Sequence, residues 1–145
     1  MDEGIDFPNG LILWPDQQTL VVADMKGAHL WNFRIEKDGS LSHKQPYSTM
    51  QLPVGKSASG ADGMTVDRDG RIYVATELGI QVFDTQGGQF TVDLTQSDDV
   101  IIDEVIRDAN AAADLVRSSV NFRINDNGDG ILVEDTNGGT SLLRI

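Results

Sequence analysis

Asn9-Gly10-Leu11-Ile12-Leu13-Trp14-Pro15-Asp16 and Asp62-Gly63-Met64-Thr65-Val66-Asp67-Arg68-Asp69 are two versions of one pattern, set 53 residues apart (62 − 9). The likeness continues downstream. With one gap, Thr19-Leu20-Val21-Val22-Ala23-Asp24 falls on Arg71-Ile72-Tyr73-Val74-Ala75-Thr76, and with another, Leu30 to Phe33 falls on Ile80 to Phe83. Each copy reads as strand, turn, strand, turn, strand. Short strands recurring every 40 to 50 residues or so are the mark of propeller blades, small twisted sheets that bury their faces only against their neighbours.

The strand assignment rests on composition and punctuation. Leu20 to Ala23 and Ile72 to Ala75 are nearly all apolar, as in a sheet covered on both faces, whereas Gln81-Val82-Phe83-Asp84 reads as an edge. Pro15-Asp16, Lys37-Asp38-Gly39, Arg68-Asp69-Gly70 and Gln86-Gly87-Gly88 supply turn chemistry between the runs. Leu52 to Ala61, with Pro53 and two glycines, reads as the connection between blades. Residues 1–88 are thus expected to form two propeller-like blades.

After about Phe90 the period changes. Between Asp98 and Ser118, apolar residues at Ile101, Val105, Ala109, Ala112 and Val116 line one face of a helix, with Asp98 and Asp99 at its positive end. Three short strands follow in the pattern: Val120 to Ile124, Ile131 to Glu134 and Ser141 to Ile145. Residues 89–145 are therefore expected to be an acidic tail of one helix and a β-meander. Positions 1–87 carry 7 Lys/Arg and 12 Asp/Glu, and positions 88–145 carry 4 and 11, so the shorter segment holds −7 of the net −12. That asymmetry and the change of period place a module boundary near Gly87-Gly88.

Composition excludes several function classes. With 39% hydrophobic and 23% charged residues the 145-residue chain can bury a core, and its 15 glycines favour many turns over a helical bundle. Eleven scattered Lys and Arg against a net charge of −12 exclude a phosphate-tracking nucleic-acid surface and a polybasic membrane patch. Without cysteine, any metal must be held by oxygen or imidazole. The first residues carry no basic and apolar leader, and no run approaches the length of a membrane span, so a cytoplasmic location is expected over a secreted one.

Pro8-Asn9-Gly10-Leu11 with its Pro-Asp turn and a strand ending Ala23-Asp24, and Asp62-Gly63-Met64 with Val66-Asp67 and an Asp-Gly turn before Ile72 to Thr76, resemble the senescence-marker-protein, gluconolactonase and luciferin-regenerating-enzyme-like family. The resemblance covers residues 8–87 and departs from the family pattern at Ala61, where a proline is common. It implies a mainly β fold, two blades of a six-bladed propeller, with a divalent cation at the channel mouth. Carried over residue by residue, it implies Asn9 and Asp62 as metal ligands and Asp62 as the catalytic base. The cation would be calcium, with zinc or magnesium as alternatives, and would polarise a sugar-lactone carbonyl. Each ligand precedes a glycine that lets the backbone turn closely into its strand. The blades that would bring a Glu and a further Asn are not in this sequence, and Asp2, Glu3 and Asp6 sit too near Asn9 to replace them.

The reading is a metal-dependent sugar-lactone hydrolase or a fragment of one, with copies of the chain completing the propeller. Its rival is a non-catalytic propeller-derived binding or assembly module. The tail also resembles, weakly, the C-terminal region of type I secreted bacterial proteins, which would make it a calcium-stabilised segment. Other residues read as structural. Asp24 and Asp67 close turns, Trp14 and Trp31 pack blades, and His29 in a strand and His43 in a polar turn have no Ser or Cys partner. Asn125-x-Asn127-x-Asp129 opens like a calcium loop but reaches Thr136 where such a loop needs Glu, so a hairpin turn is the better reading.

Overall fold

The computed structural model describes residues 4–94, 102–128 and 131–137, and the backbone of 142–144. It is mainly β, with antiparallel sheets and one helix. Strands β1 (Pro8–Leu13), β2 (Thr19–Asp24), β3 (His29–Ile35) and β4 (Leu41–Thr49) form a four-stranded sheet in sequence order. A second four-stranded sheet repeats that order with β5 (Met64–Val66), β6 (Ile72–Thr76), β7 (Gly79–Phe83) and β8 (Gln89–Val92). Helix α1 (Ile102–Leu115) and a three-stranded sheet, β9 (Val120–Ile124), β10 (Ile131–Asp135) and β11 (Leu142–Arg144), complete the order.

Side-chain alternation sorts these elements into three layers. In the first sheet Val21, Ala23 and Leu30 face the second sheet, where they meet Ile72, Val74 and Phe83. The other face of the second sheet, with Tyr73, Val82, Phe90 and Val92, packs on Ala109 and Ala113 of α1 and on Val120, Phe122 and Val133 of the last sheet. Each fully buried aliphatic side chain contributes roughly 1.5–3 kcal/mol by leaving water, so these two seams dominate the core. The middle sheet is covered on both sides.

Three devices tie the layers together. Gln81, almost wholly buried, pairs its amide with the backbone of Gln51 as a strand would: Oε1 accepts from Gln51 N (2.8 Å) and Nε2 donates to Gln51 O (2.9 Å). Asn110 does the same for Phe122, accepting from its N–H (2.6 Å) and donating to its C=O (2.8 Å), which occupies the free edge of β9. The third device is a charged group. Arg71 donates from Nε to Asp67 (2.6 Å), from Nη2 to Asp69 (3.0 Å) and from Nη1 to Ser119 of the tail (3.2 Å), and Tyr73 Oη donates to Asp67 (3.1 Å). Burial opposes the Arg71 charge, but Asp67 outweighs it and holds the guanidinium above its ordinary pKa. Burial, reinforced by Asp67, pushes the Tyr73 phenol up as well.

Several expectations change. Each four-stranded sheet has an outer strand beyond the three legible in the pattern, β4 and β8. Strand β8 lies beyond Gly88 and completes the second sheet. His43 lies within β4, not in a turn, at a bulge where its φ is 52°. The segment around Gln81 to Phe83 is not an edge, because β7 runs between β6 and β8. Its polar Gln81 is tolerated inside because Gln51 satisfies it. The helix turns its Ala109–Ala113 face to the core, with Ile106 and Ala112 beside it, and Val116 lies past its end. Asp2, Glu3, Asp98, Asp99, Ile101, Asp129, Gly130, Ser141 and Ile145 lie outside the described residues. The Asn125 turn joins β9 to β10 through a bond from Gly128 N to Asn125 O (3.0 Å).

Candidate functional site

β1 and β5 are the first strands of their sheets, and they lie side by side, so the residues that open them meet at one end of the molecule. Asn9, the second residue of β1, and Asp62, two residues before β5, come together there. The Asn9 amide nitrogen donates to Asp62 Oδ1 (2.9 Å) and approaches the Ala61 carbonyl (3.5 Å) and the Met25 sulfur (3.7 Å). Asp62 is exposed and Asn9 partly so, and among the described residues neither the second carboxylate oxygen nor the amide oxygen accepts a hydrogen bond.

The backbone here is set by small residues. A Cβ on Gly10 would lie 2.2 Å from the Asp62 carbonyl oxygen, so glycine is what lets β1 come this near. Gly63 differs. A Cβ there would meet nothing within 4 Å, and its role is in the ladder, where Ala75 N donates to Gly63 O (3.0 Å) and Asp62 N to Ala75 O (2.9 Å). Close approach thus explains the glycine after Asn9 and not the one after Asp62.

The segment before Asp62 is held by contacts that the sequence did not disclose. Ser59, fully buried, donates from Oγ to Asp24 O (3.0 Å) and accepts from Ala61 N (3.1 Å). Ser59 N and Gly60 N donate to Gly27 O and Met25 O of the first sheet, and Glu77 N donates to Ser59 O in the second (3.2 Å). Asp62 is therefore fixed against both sheets at once. The small-residue run Ser57-Ala58-Ser59-Gly60-Ala61 was the available signal, and it reads equally well as a loose linker. Asp24 is structural, accepting from Asp6 N (3.1 Å) and Phe7 N (3.0 Å), and so is Asp67. Trp14 packs between the sheets, edge-on to Tyr47, whereas Trp31 stands on the other face under Lys44.

By chemistry, an amide oxygen and a carboxylate suit a hard divalent cation; by number they fall short, since calcium takes 6–8 oxygens or so. Among the described residues no group of three or more His, Asp or Glu converges on a metal position. The amide nitrogen, not the amide oxygen, is turned to Asp62. As it stands the pair is a carboxylate positioned by an amide N–H.

Comparison with known proteins gives the following. A gluconolactonase of Xanthomonas campestris superposes with a TM-score of 0.49 at 22% identity, over 93% of this chain and 36% of its own. A luciferin-regenerating enzyme gives a TM-score of 0.47 at 19% identity, over 70% of this chain and 42% of its own. The chain thus spans little more than a third of the length of the first of these structures. No curated protein matches it. The sequence profile of the SMP-30/gluconolactonase/LRE-like region matches residues 1–98, and the chain belongs to that family.

Proposed function

We propose that the chain is part of a sugar-lactone hydrolase whose reaction centre is built around Asn9 and Asp62. The observation that carries this reading is their meeting at 2.9 Å, where the chain enters two adjacent first strands, in a chain of the gluconolactonase-like family. Asp62 is the base. Its exposed carboxylate takes a proton from a water whose oxygen bonds to the lactone carbonyl carbon; the ring ester C–O bond then breaks, and the leaving alkoxide receives the proton. Asn9 positions Asp62, because its N–H fixes one carboxylate oxygen and leaves the other for the water.

Family members are in general metal-dependent. A divalent cation, calcium before zinc or magnesium, would be held by the Asn9 and Asp62 oxygens with donors from outside this chain, and would supply Lewis-acid polarisation of the carbonyl. In the same reading the two four-stranded sheets are propeller blades, and of residues 89–145 the part that follows β8 is a separate module. The open face of the first sheet is where further blades join, whether from another copy or another chain. A ring made head to tail from copies would need the face of the second sheet that α1 covers.

The test is hydrolysis of glucono-1,5-lactone followed by pH-stat, with calorimetric titration of calcium. Turnover and calcium heat in the wild type, both lost in Asp62→Ala, support the proposal. Turnover unaffected by Asp62→Ala removes it.

A further inference from the structure

At the end of the second sheet opposite Asp62, the Asp67–Gly70 and β7–β8 turns meet the residues that follow α1 and enclose a cavity of about 290 Å³. Ligand pockets run from roughly 300 to 1,000 Å³, so this one suits a single molecule of about six carbons. Its floor is apolar, with Val82 and Phe90. Its walls are polar, with Asp69, Asp84, Gln86, Gln89, Arg117 and Asn137, and the Asp69 charge is taken up by Arg71.

The two arginines at the cavity differ. Arg71 is spent on Asp67, Asp69 and Ser119. Arg117 is exposed and makes no ion pair among the described residues. It stands where α1 ends, with φ of 55°, its N–H donating to Asp114 O (3.0 Å) while Ser118 N donates to Ala113 O (2.9 Å). This is the left-handed position that usually falls to glycine, so an arginine there is held against its own backbone preference. The Asp84 carboxylate gives Oδ1 to the N–H groups of Gln86 (2.8 Å) and Gly88 (2.6 Å), and its Oδ2 accepts no bond among the described residues.

We infer that this cavity binds a small polyhydroxylated carboxylate. The guanidinium of Arg117 takes the carboxylate as a two-pronged donor. Asp84 Oδ2 and the amides of Gln86 and Gln89 match neighbouring hydroxyls, and Phe90 offers an apolar surface to the C–H side. An aliphatic acid would offer no hydroxyls to Asp84 and the amides, and a neutral polyol no carboxylate to Arg117. The inference does not rest on the lactonase reading, because Asp62 lies at the other end of the sheet.

Calorimetric titration of the full chain with gluconate, hexanoate and glucitol tests it. Gluconate binds, and the other two bind at least ten-fold more weakly. Arg117→Gln, at an exposed position, lowers gluconate affinity ten-fold or more with an unchanged melting temperature; Gln89→Trp, which fills the cavity, abolishes binding. Asp62→Ala retains gluconate binding even where it removes hydrolysis. No gluconate binding in the wild type, or binding indifferent to Arg117→Gln, overturns the inference. Loss of binding in Asp62→Ala also overturns it, since the ligand would then sit at the other end.

Discussion

The two four-stranded sheets are built on one sequence pattern and differ in what covers them. Ile72 and Val74 of the second sheet are fully buried against the first. Their counterparts in the repeat, Leu20 and Val22, share the outward face of the first sheet with Leu11, Leu13, Trp31 and Phe33, and there Leu11 is 64% exposed and Leu13 48%. The same residue classes are therefore core in one copy and a face that is open at Leu11 and Leu13, with Val22 and Phe33 still buried, in the other. A blade's stability belongs to its neighbours as much as to itself, as in any repeat architecture.

The strongest way to break the comparison is at the charged group that only the second sheet has. Asp67→Ala leaves Arg71 buried without its main partner, and removing one side of a buried ion pair costs roughly 3–5 kcal/mol. Asp69 and Asp135 remain close to Arg71, which places the expected loss at the lower end. Asp16→Ala, at the exposed turn of the first sheet, removes only local bonds from the N–H groups of Gln18 and Thr19 and the Thr19 hydroxyl and costs about 1 kcal/mol. Urea midpoints of the two variants measure the contrast.

Next come the equivalent core positions. Ile72→Ala opens a cavity between the sheets and costs roughly 2–5 kcal/mol, whereas Leu20→Ala, on the half-open face, costs less than half as much. Equal costs would mean that the first sheet is covered in solution, and sedimentation would then show an assembly. Asn110→Ala strips the partner from the Phe122 backbone and costs about 1–3 kcal/mol. Hydrogen exchange should quicken in β9 and leave the first sheet unchanged.

Two smaller effects sharpen the picture. Tyr73 keeps its proton in the folded chain to a pH above that of a free tyrosine, about 10. Its contribution is therefore full below pH 10 and lost as pH rises beyond it, so stability should fall on the alkaline side, and less so in Tyr73→Phe. Arg117→Gly relieves a left-handed backbone and should raise the urea midpoint by the equivalent of about 1 kcal/mol, while weakening gluconate binding.

Much was legible in the sequence because it was local. Turn residues and apolar runs located β1 to β3, β5 to β7, α1 and the last three strands, and the matched Asn9 and Asp62 marked the residues that the fold brings together. Local pattern was silent where a residue's meaning depends on a distant partner. β4 is an outer strand with a bulge at His43, and the extra residue interrupts the period-two pattern that would mark it. Gln81 imitates an edge residue until Gln51, 30 positions away, satisfies it.

By itself, then, the sequence determined the repeat and the strands that its apolar runs demand, because these depend on backbone preference and spacing within a few positions, whereas Asn9 and Asp62 were singled out by the family resemblance. Only the tertiary structure decided that the helix and last strands close the second sheet and leave the first open. It also decided that Ser59 pins Asp62 against both sheets and that Arg117 overlooks a cavity. Those outcomes depend on which surfaces meet, and that is settled by burial and hydrogen-bond satisfaction across the chain.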